Sequence, residues 1–254
     1  MNTITEQQLN TSKQSGAVSS CAYVKVTLAD GSDKLMTLSA FAALISNTGD
    51  SLAVNRNSMD GCFILYKHGT DTYHCLARWD QWGSLKSTYT ADGVLVISGG
   101  KCIVVAPTQG SAVNWAATNT AAVTGNATTS KPIALERFDG KTATETAYSA
   151  LGASNADGKA IGFAHSYSHG SIAAGSWWLP SLGELVIMFA NKHRINKCLS
   201  VIDGADQIPD SAHWSSTEYS ATHAWNVSFG SGIVNGSSKV SSSCVVRPVA
   251  AWPV

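Results

Sequence analysis

From Tyr219 to Val246 the chain carries one charged side chain, Lys239, in a tract dominated by Ser, Gly, Asn and small apolar residues. A solvated loop usually carries more charge than this, and a core carries more large aliphatics. Trp225, Val227 and Phe229 alternate as the residues of a half-buried strand do. Downstream, Val245, Val246 and Val249 bracket Arg247-Pro248. The pattern predicts a neutral surface held between anchored strands. Trp225 and Phe229 would pin it by burying large areas, and Gly232 would supply a positive φ at a turn. Arg247, in an apolar context, needs a carboxylate or carbonyl partner, and Glu218 is the nearest acid in sequence.

The same neutrality runs through the whole chain. Its 254 residues include 17 basic and 17 acidic side chains, and only 13% are charged, against a usual share of roughly 25%. Zero net charge argues against a nucleic-acid partner, which would call for a basic stripe. With 44% hydrophobic residues and 8 Trp, the chain has the means to bury a core. No apolar run approaches the roughly 20 residues that span a bilayer, so membrane insertion is not expected. The segment Met1 to Gln14 is polar and has no basic-then-apolar signal pattern. The six cysteines lie at long, irregular spacings without a CxxC, which argues against a zinc site and for free thiols.

Along the chain, residues 1–20 read as a polar arm. A strand is expected at Tyr23 to Leu28, a turn at Ala29 to Ser32 and a short helix from Met36 to Ile45. Cys62 to Tyr66 and Thr72 to Trp79 read as a hairpin. Asp92-Gly93 reads as a turn and as a domain boundary. Gly93 to Ser98 and Lys101 to Ala106 form a second expected hairpin about Gly99-Gly100. Ser111 to Ser130 has no clean period. A helix is expected from Lys141 to Leu151. Ser181-Leu182-Gly183-Glu184 fits a capping box opening a helix from Leu182 to Lys192, with Lys192-His193-Arg194 favourably placed at its C-terminus. A second short helix would run from Ile195 to Ile202 and stop at Asp203-Gly204.

Catalytic signals are missing. No GxSxG, HExxH or P-loop is present, and His213, His223 and Cys244 stand without a motif around them. A calcium-dependent sugar site needs six to eight oxygens. Gln207-Ile208-Pro209-Asp210 and Trp225-Asn226-Val227 echo such a site only loosely. The Trp177-Trp178 pair reads as core.

Trp214-Ser215-Ser216-Thr217-Glu218, then Ala224-Trp225-Asn226-Val227, Phe229, Gly232 and Val246-Arg247-Pro248-Val249 before Trp252 resemble the variable proteins of diversity-generating retroelements found in gut bacterial phages. Trp177-Trp178-Leu179-Pro180-Ser181 with Glu184-Leu185 resembles an upstream segment of the same family. The resemblance covers residue 93 to the end. It implies an α+β protein with a C-type-lectin-like domain, of the formylglycine-generating-enzyme subtype, at 93–254. A smaller β-rich attachment domain would occupy 1–92. No cysteine-based catalytic site is matched, so no enzyme activity, cofactor or metal is expected. In this family adenine-directed miscopying turns AAC or AAT codons into NN-pyrimidine codons, which cannot encode Lys, Glu, Gln, Trp or Met. The positions expected to vary are Ser220, Thr222, His223, Ser228, Gly230, Ser231, Ile233, Asn235, Gly236, Ser237, Ser238, Val240, Ser241, Ser242, Ser243 and Cys244, all of allowed types. Trp214, Glu218, Trp225, Phe229, Gly232 and Arg247 would be the fixed scaffold. The implied function is hypervariable receptor binding at a phage tail, with a homotrimer as the implied assembly, a host-cell surface protein or glycan as ligand and virion tail components as partners. The alternatives are an invariant lectin-like adhesin on a bacterial surface and a calcium-dependent lectin.

Overall fold

The computed structural model describes residues 23–27, 33–37, 60–67, 74–118 and 122–252. The chain divides into two compact units, Met1–Asn55 and Arg56–Val254. In the first, strands β1 (Tyr23–Thr27) and β2 (Asp33–Thr37) pair antiparallel, with Tyr23 opposite Thr37. The expected strand at Tyr23 is therefore present. Met36 and Thr37, assigned above to a helix, belong instead to β2, where strand pairing overrides a weak helical preference. The polar arm, the turn at 29–32, the rest of the proposed helix and the turn at 68–71 lie outside the described residues.

The second unit is built on two sheets. The first sheet contains β3 (Gly61–Lys67), β4 (His74–Ala77), β5 (Ala91–Ser98), β6 (Lys101–Val105), β8 (Trp177–Trp178) and β13 (Val249–Ala250), in the order β4-β3-β5-β6-β13-β8. The expected β3–β4 and β5–β6 hairpins both form. Gly99 and Gly100, with φ of 56° and 76°, make the tight turn of the second, as a two-residue hairpin connection with positive φ at both positions requires.

The domain boundary expected near residue 92 falls inside β5. That strand pairs with β3 on one side and β6 on the other, so residues 60–92 belong to the C-terminal unit. Gly93 is present for close approach rather than for a turn. A Cβ there would lie 2.7 Å from Val104 Cγ1 and 2.7 Å from the Val105 carbonyl.

The second sheet contains β7 (Gly110–Val113), β9 (Ala212–Glu218), β10 (His223–Ser228), β11 (Val234–Ser238) and β12 (Cys244–Val246), in the order β11-β10-β9-β12-β7. Its pairs are antiparallel except β12 with β9. Among the described residues, six α-helices complete the unit: α1 (Lys131–Leu135), α2 (Gly140–Leu151), α3 (Ala153–Ala156), α4 (Ala160–Ser166), α5 (Leu182–Ala190) and α6 (Lys192–Leu199). Mixed helices and largely antiparallel sheets make this an α+β protein. No helix among the described residues is long and apolar enough to cross a membrane.

Helix α2 stops at Gly152, whose φ is 70°, and buries Ala143, Thr144 and Ala147 at helical spacing. Helix α5 opens on the expected capping box. The Glu184 carboxylate accepts the Ser181 N–H at 2.7 Å and the Trp178 indole N–H at 3.1 Å. Burial pushes this carboxyl up, and the Ser181 and Trp178 hydrogen bonds pull back. The helix ends at Ala190, earlier than expected. Lys192-His193-Arg194 therefore opens α6, at the dipole end that disfavours cations. Lys192 is compensated by the Asp210 carboxylate and by the Phe229 carbonyl at 3.2 Å.

Two apolar clusters hold the unit together. One joins the six-stranded sheet, α5 and α6 to Trp225, Val227 and Phe229. The other gathers Trp115, Trp214, Leu179 and Val246 against alanines of α2 and α4. Trp177 and Trp178 are buried, as expected of core residues. Of the described cysteines, Cys198 and Cys244 are buried and Cys102 is exposed.

A candidate ligand-binding tract on a buried scaffold

The motif Trp214 to Glu218 forms β9, and its polar residues are all buried. Buried polar groups need partners, and most here are met by neighbouring elements. The Ser215 hydroxyl donates to the Trp225 carbonyl at 2.9 Å. Thr217 Oγ1 accepts the Leu182 N–H at 3.0 Å and so serves the first turn of α5. The Trp214 indole donates to the Val113 carbonyl at 2.7 Å. Glu218 accepts the Val123 N–H at 2.9 Å and the Thr124 N–H at 2.7 Å, and it pairs with the Lys239 ammonium.

Arg247 is fully buried but does not pair with Glu218. One terminal nitrogen donates to the carbonyls of Ala106 and Pro107, each at 2.9 Å. The other donates to Gln109 Oε1 at 3.0 Å and the Asp206 carbonyl at 2.9 Å. Burial pulls the guanidinium down to about 10, with opposing help from Asp206, and it remains charged at neutral pH. Glu218 is committed elsewhere because Lys239 lies buried beside it.

Trp225 and Phe229 are buried, and Gly232 has φ of 73°, beneath which a Cβ would meet the Phe189 ring at 2.8 Å. Trp225 and Val227 alternate as predicted, yet Ala224 and Asn226 between them are buried too, so β10 is covered on both sides.

Every position expected to vary is exposed or half-exposed except Cys244. Cys244 lies in the second apolar cluster, and burial pushes its thiol up to about 12. It is a core residue of β12, and its assignment to the binding tract is corrected. The other positions follow an edge. β11 is the outermost strand of its sheet. Its register sets Ser238, Gly236 and Val234 opposite His223, Trp225 and Val227 on one side, and Asn235 and Ser237 opposite Asn226 and Ala224 on the other. The turns at 219–222 and 229–233 close opposite ends of β10, so Ser220 and Thr222 stand at one end and Gly230, Ser231 and Ile233 at the other. Thus the tract wraps the edge strand and both its ends instead of lining one flat face.

Short local hydrogen bonds dress this surface. Thr222 Oγ1 meets His223 Nδ1 at 2.8 Å, Ser231 meets Ser228 at 3.0 Å, and Asn226 Nδ2 donates to Ser237 Oγ at 2.8 Å. Ile233 is the large apolar side chain most exposed in the tract. Asn226 and Asp210, which echoed a calcium site, are engaged with Ser237 and Lys192. Among the described residues no group of three or more His, Cys, Asp or Glu could hold a metal ion.

His213 lies under the tract against Phe229, with ring centroids 4.3 Å apart. Its Nδ1 lies 2.9 Å from the Ser211 carbonyl, which can only accept, so the proton sits on Nδ1 and the buried Nε2 is left without a partner. Burial lowers its pKa from 6.5 to about 4, against the pull of the Ser211 carbonyl. Above pH 6.5 the ring is neutral folded or unfolded. Between pH 6.5 and 4 the unfolded chain takes up a proton that the folded chain refuses, so stability falls as pH falls. The loss from this group should reach about 3 kcal/mol by pH 4. Urea denaturation across this range should show a shallower loss for His213→Phe than for the unsubstituted chain. Parallel curves would refute the assignment.

No protein-family model matches the chain, and no curated protein matches it. Among solved structures, a fimbrial protein from Bacteroides ovatus ATCC 8483 is 17% identical, with a TM-score of 0.44. The match covers 89% of this chain and 48% of that one, so the chain spans about half the length of that protein.

Proposed function

We propose that this chain is a ligand-binding protein whose C-terminal unit presents a variable tract, diversified by a retroelement, on a C-type-lectin-like scaffold. The observation that supports this reading is how exposure divides between residue types. Between Tyr219 and Cys244 only Trp225 and Lys239 lie outside the set that NN-pyrimidine codons encode, and both are buried. Their neighbours expected to vary, from Ser220 to Ser243, reach the surface. Substitution at exposed positions usually changes stability by less than about 0.5 kcal/mol, so such a tract can change its ligand without changing its fold. Small hydroxyl and amide side chains give adaptable hydrogen bonding, and with few aromatic anchors the affinity per site is low. Display in several copies, as on a phage tail, would supply avidity toward a host-cell protein or glycan.

Deep sequencing of the 3′ end of the gene across its source population tests the reading. Substitutions should concentrate at the exposed positions named, in codons ending in C or T, with Trp225, Lys239, Arg247 and Cys244 unchanged. An invariant tract, or one that varies no more than its flanks, would leave an ordinary adhesin with a single ligand.

A further inference from the structure

We propose that Lys239 is a positioning residue: with Glu218 it forms a buried clasp that fixes the 219–222 and 239–243 segments of the tract. This rests on the ligand-binding reading above. Lys239 is the sole charged side chain of the tract, and it points inward with 1% of its side chain exposed, against 0% for Glu218. Its ammonium is shared between the Glu218 carboxylate, the Ala221 carbonyl at 2.9 Å and the face of the Trp115 ring, 4.9 Å from the centroid. Its backbone N–H donates to the Thr222 carbonyl at 3.0 Å, and its carbonyl accepts the Trp115 N–H at 2.9 Å. Lys239 therefore grips the 219–222 turn twice, once by its side chain and once by its backbone. Glu218 carries the connection to the 123–124 segment through the backbone N–H groups of Val123 and Thr124.

A buried ion pair is a poor means of gaining stability, because desolvation cancels most of the attraction and apolar replacements are often neutral. What the pair gives is direction. Each charge requires partners at set positions, and here the ammonium holds the Ala221 carbonyl of a turn whose residues after Tyr219 are small. Backbone geometry at Ser220, Thr222 and Val240 is then set from below, whatever side chains stand above.

The test separates positioning from stability. E218Q/K239M removes both charges while keeping an amide oxygen for Val123 and Thr124 and an unbranched side chain over Trp115. Thermal unfolding and amide hydrogen exchange are measured on the full chain without ligand. The expected result is a melting temperature within a few degrees of the unsubstituted protein. Exchange should be at least tenfold faster at 219–222 and 239–243, with β10 and α5 unchanged. Unchanged exchange in those segments would overturn the proposal. Failure to fold, or faster exchange everywhere with a lower melting temperature, would overturn it too, by assigning the pair to stability. Because no ligand enters the measurement, its outcome is independent of whether the tract proves variable.

Discussion

Arg247→Met should lower the unfolding free energy by about 3–5 kcal/mol, among the largest effects of any single substitution in this chain. The guanidinium answers the carbonyls of Ala106, Pro107 and Asp206 and the side-chain oxygen of Gln109. Removing it leaves buried acceptors without donors, at about 1–3 kcal/mol each where water cannot reach them. Partial relaxation keeps the total below the sum. Arg247→Lys should rescue little, since one compact ammonium cannot reproduce a planar fork that reaches acceptors on either side. Urea midpoints with an unchanged m-value would measure the loss. A cost below about 1 kcal/mol would show that the carbonyls find water and that the knot is dispensable.

Trp225→Ala should cost a similar amount, about 3–5 kcal/mol, by opening a cavity in the first apolar cluster. It also frees the Thr128 carbonyl, which the indole N–H reaches at 2.9 Å, and removes the edge-on contact with Tyr219 at 4.8 Å between centroids. The contrast with its surroundings is the sharper test. Ser241→Tyr and Asn235→Asp, exposed in the same tract, should each stay within about 0.5 kcal/mol of the unsubstituted protein. Gly236 is the position where tolerance should narrow, because a Cβ there would approach the Tyr219 ring at 2.9 Å. If the exposed substitutions cost as much as the buried one, the tract is part of the fold and cannot serve as a replaceable surface.

Only part of this arrangement is legible in the sequence. The capping box at Ser181 and Glu184, the Gly99-Gly100 hairpin and the stop of α2 at Gly152 depend on residues within a few positions of one another. Local chemistry determines them, and they could be read directly. The need of Arg247 for a partner was equally plain, since an apolar context cannot hold a bare cation.

Which partner Arg247 would take was not legible, because its acceptors include the Ala106 carbonyl, 141 residues away. The nearest acid in sequence was already held by Lys239, whose own surroundings come from Trp115 and Ala221. Cys244 stands among the positions expected to vary because it lies between the anchors and is of an allowed type, and only the pairing of β12 between β9 and β7 takes it into the core. Asp92-Gly93 looked like a turn because that dipeptide favours one, until strands on both sides of β5 required an extended backbone. By itself, then, the sequence determined local turns, caps, strand alternation and the neutral character of the 219–246 tract, all set by near neighbours and side-chain chemistry. Tertiary structure alone decided which buried charge meets which acceptor, which small residues face water and where the compact unit begins, because those follow from segments brought together across the whole chain.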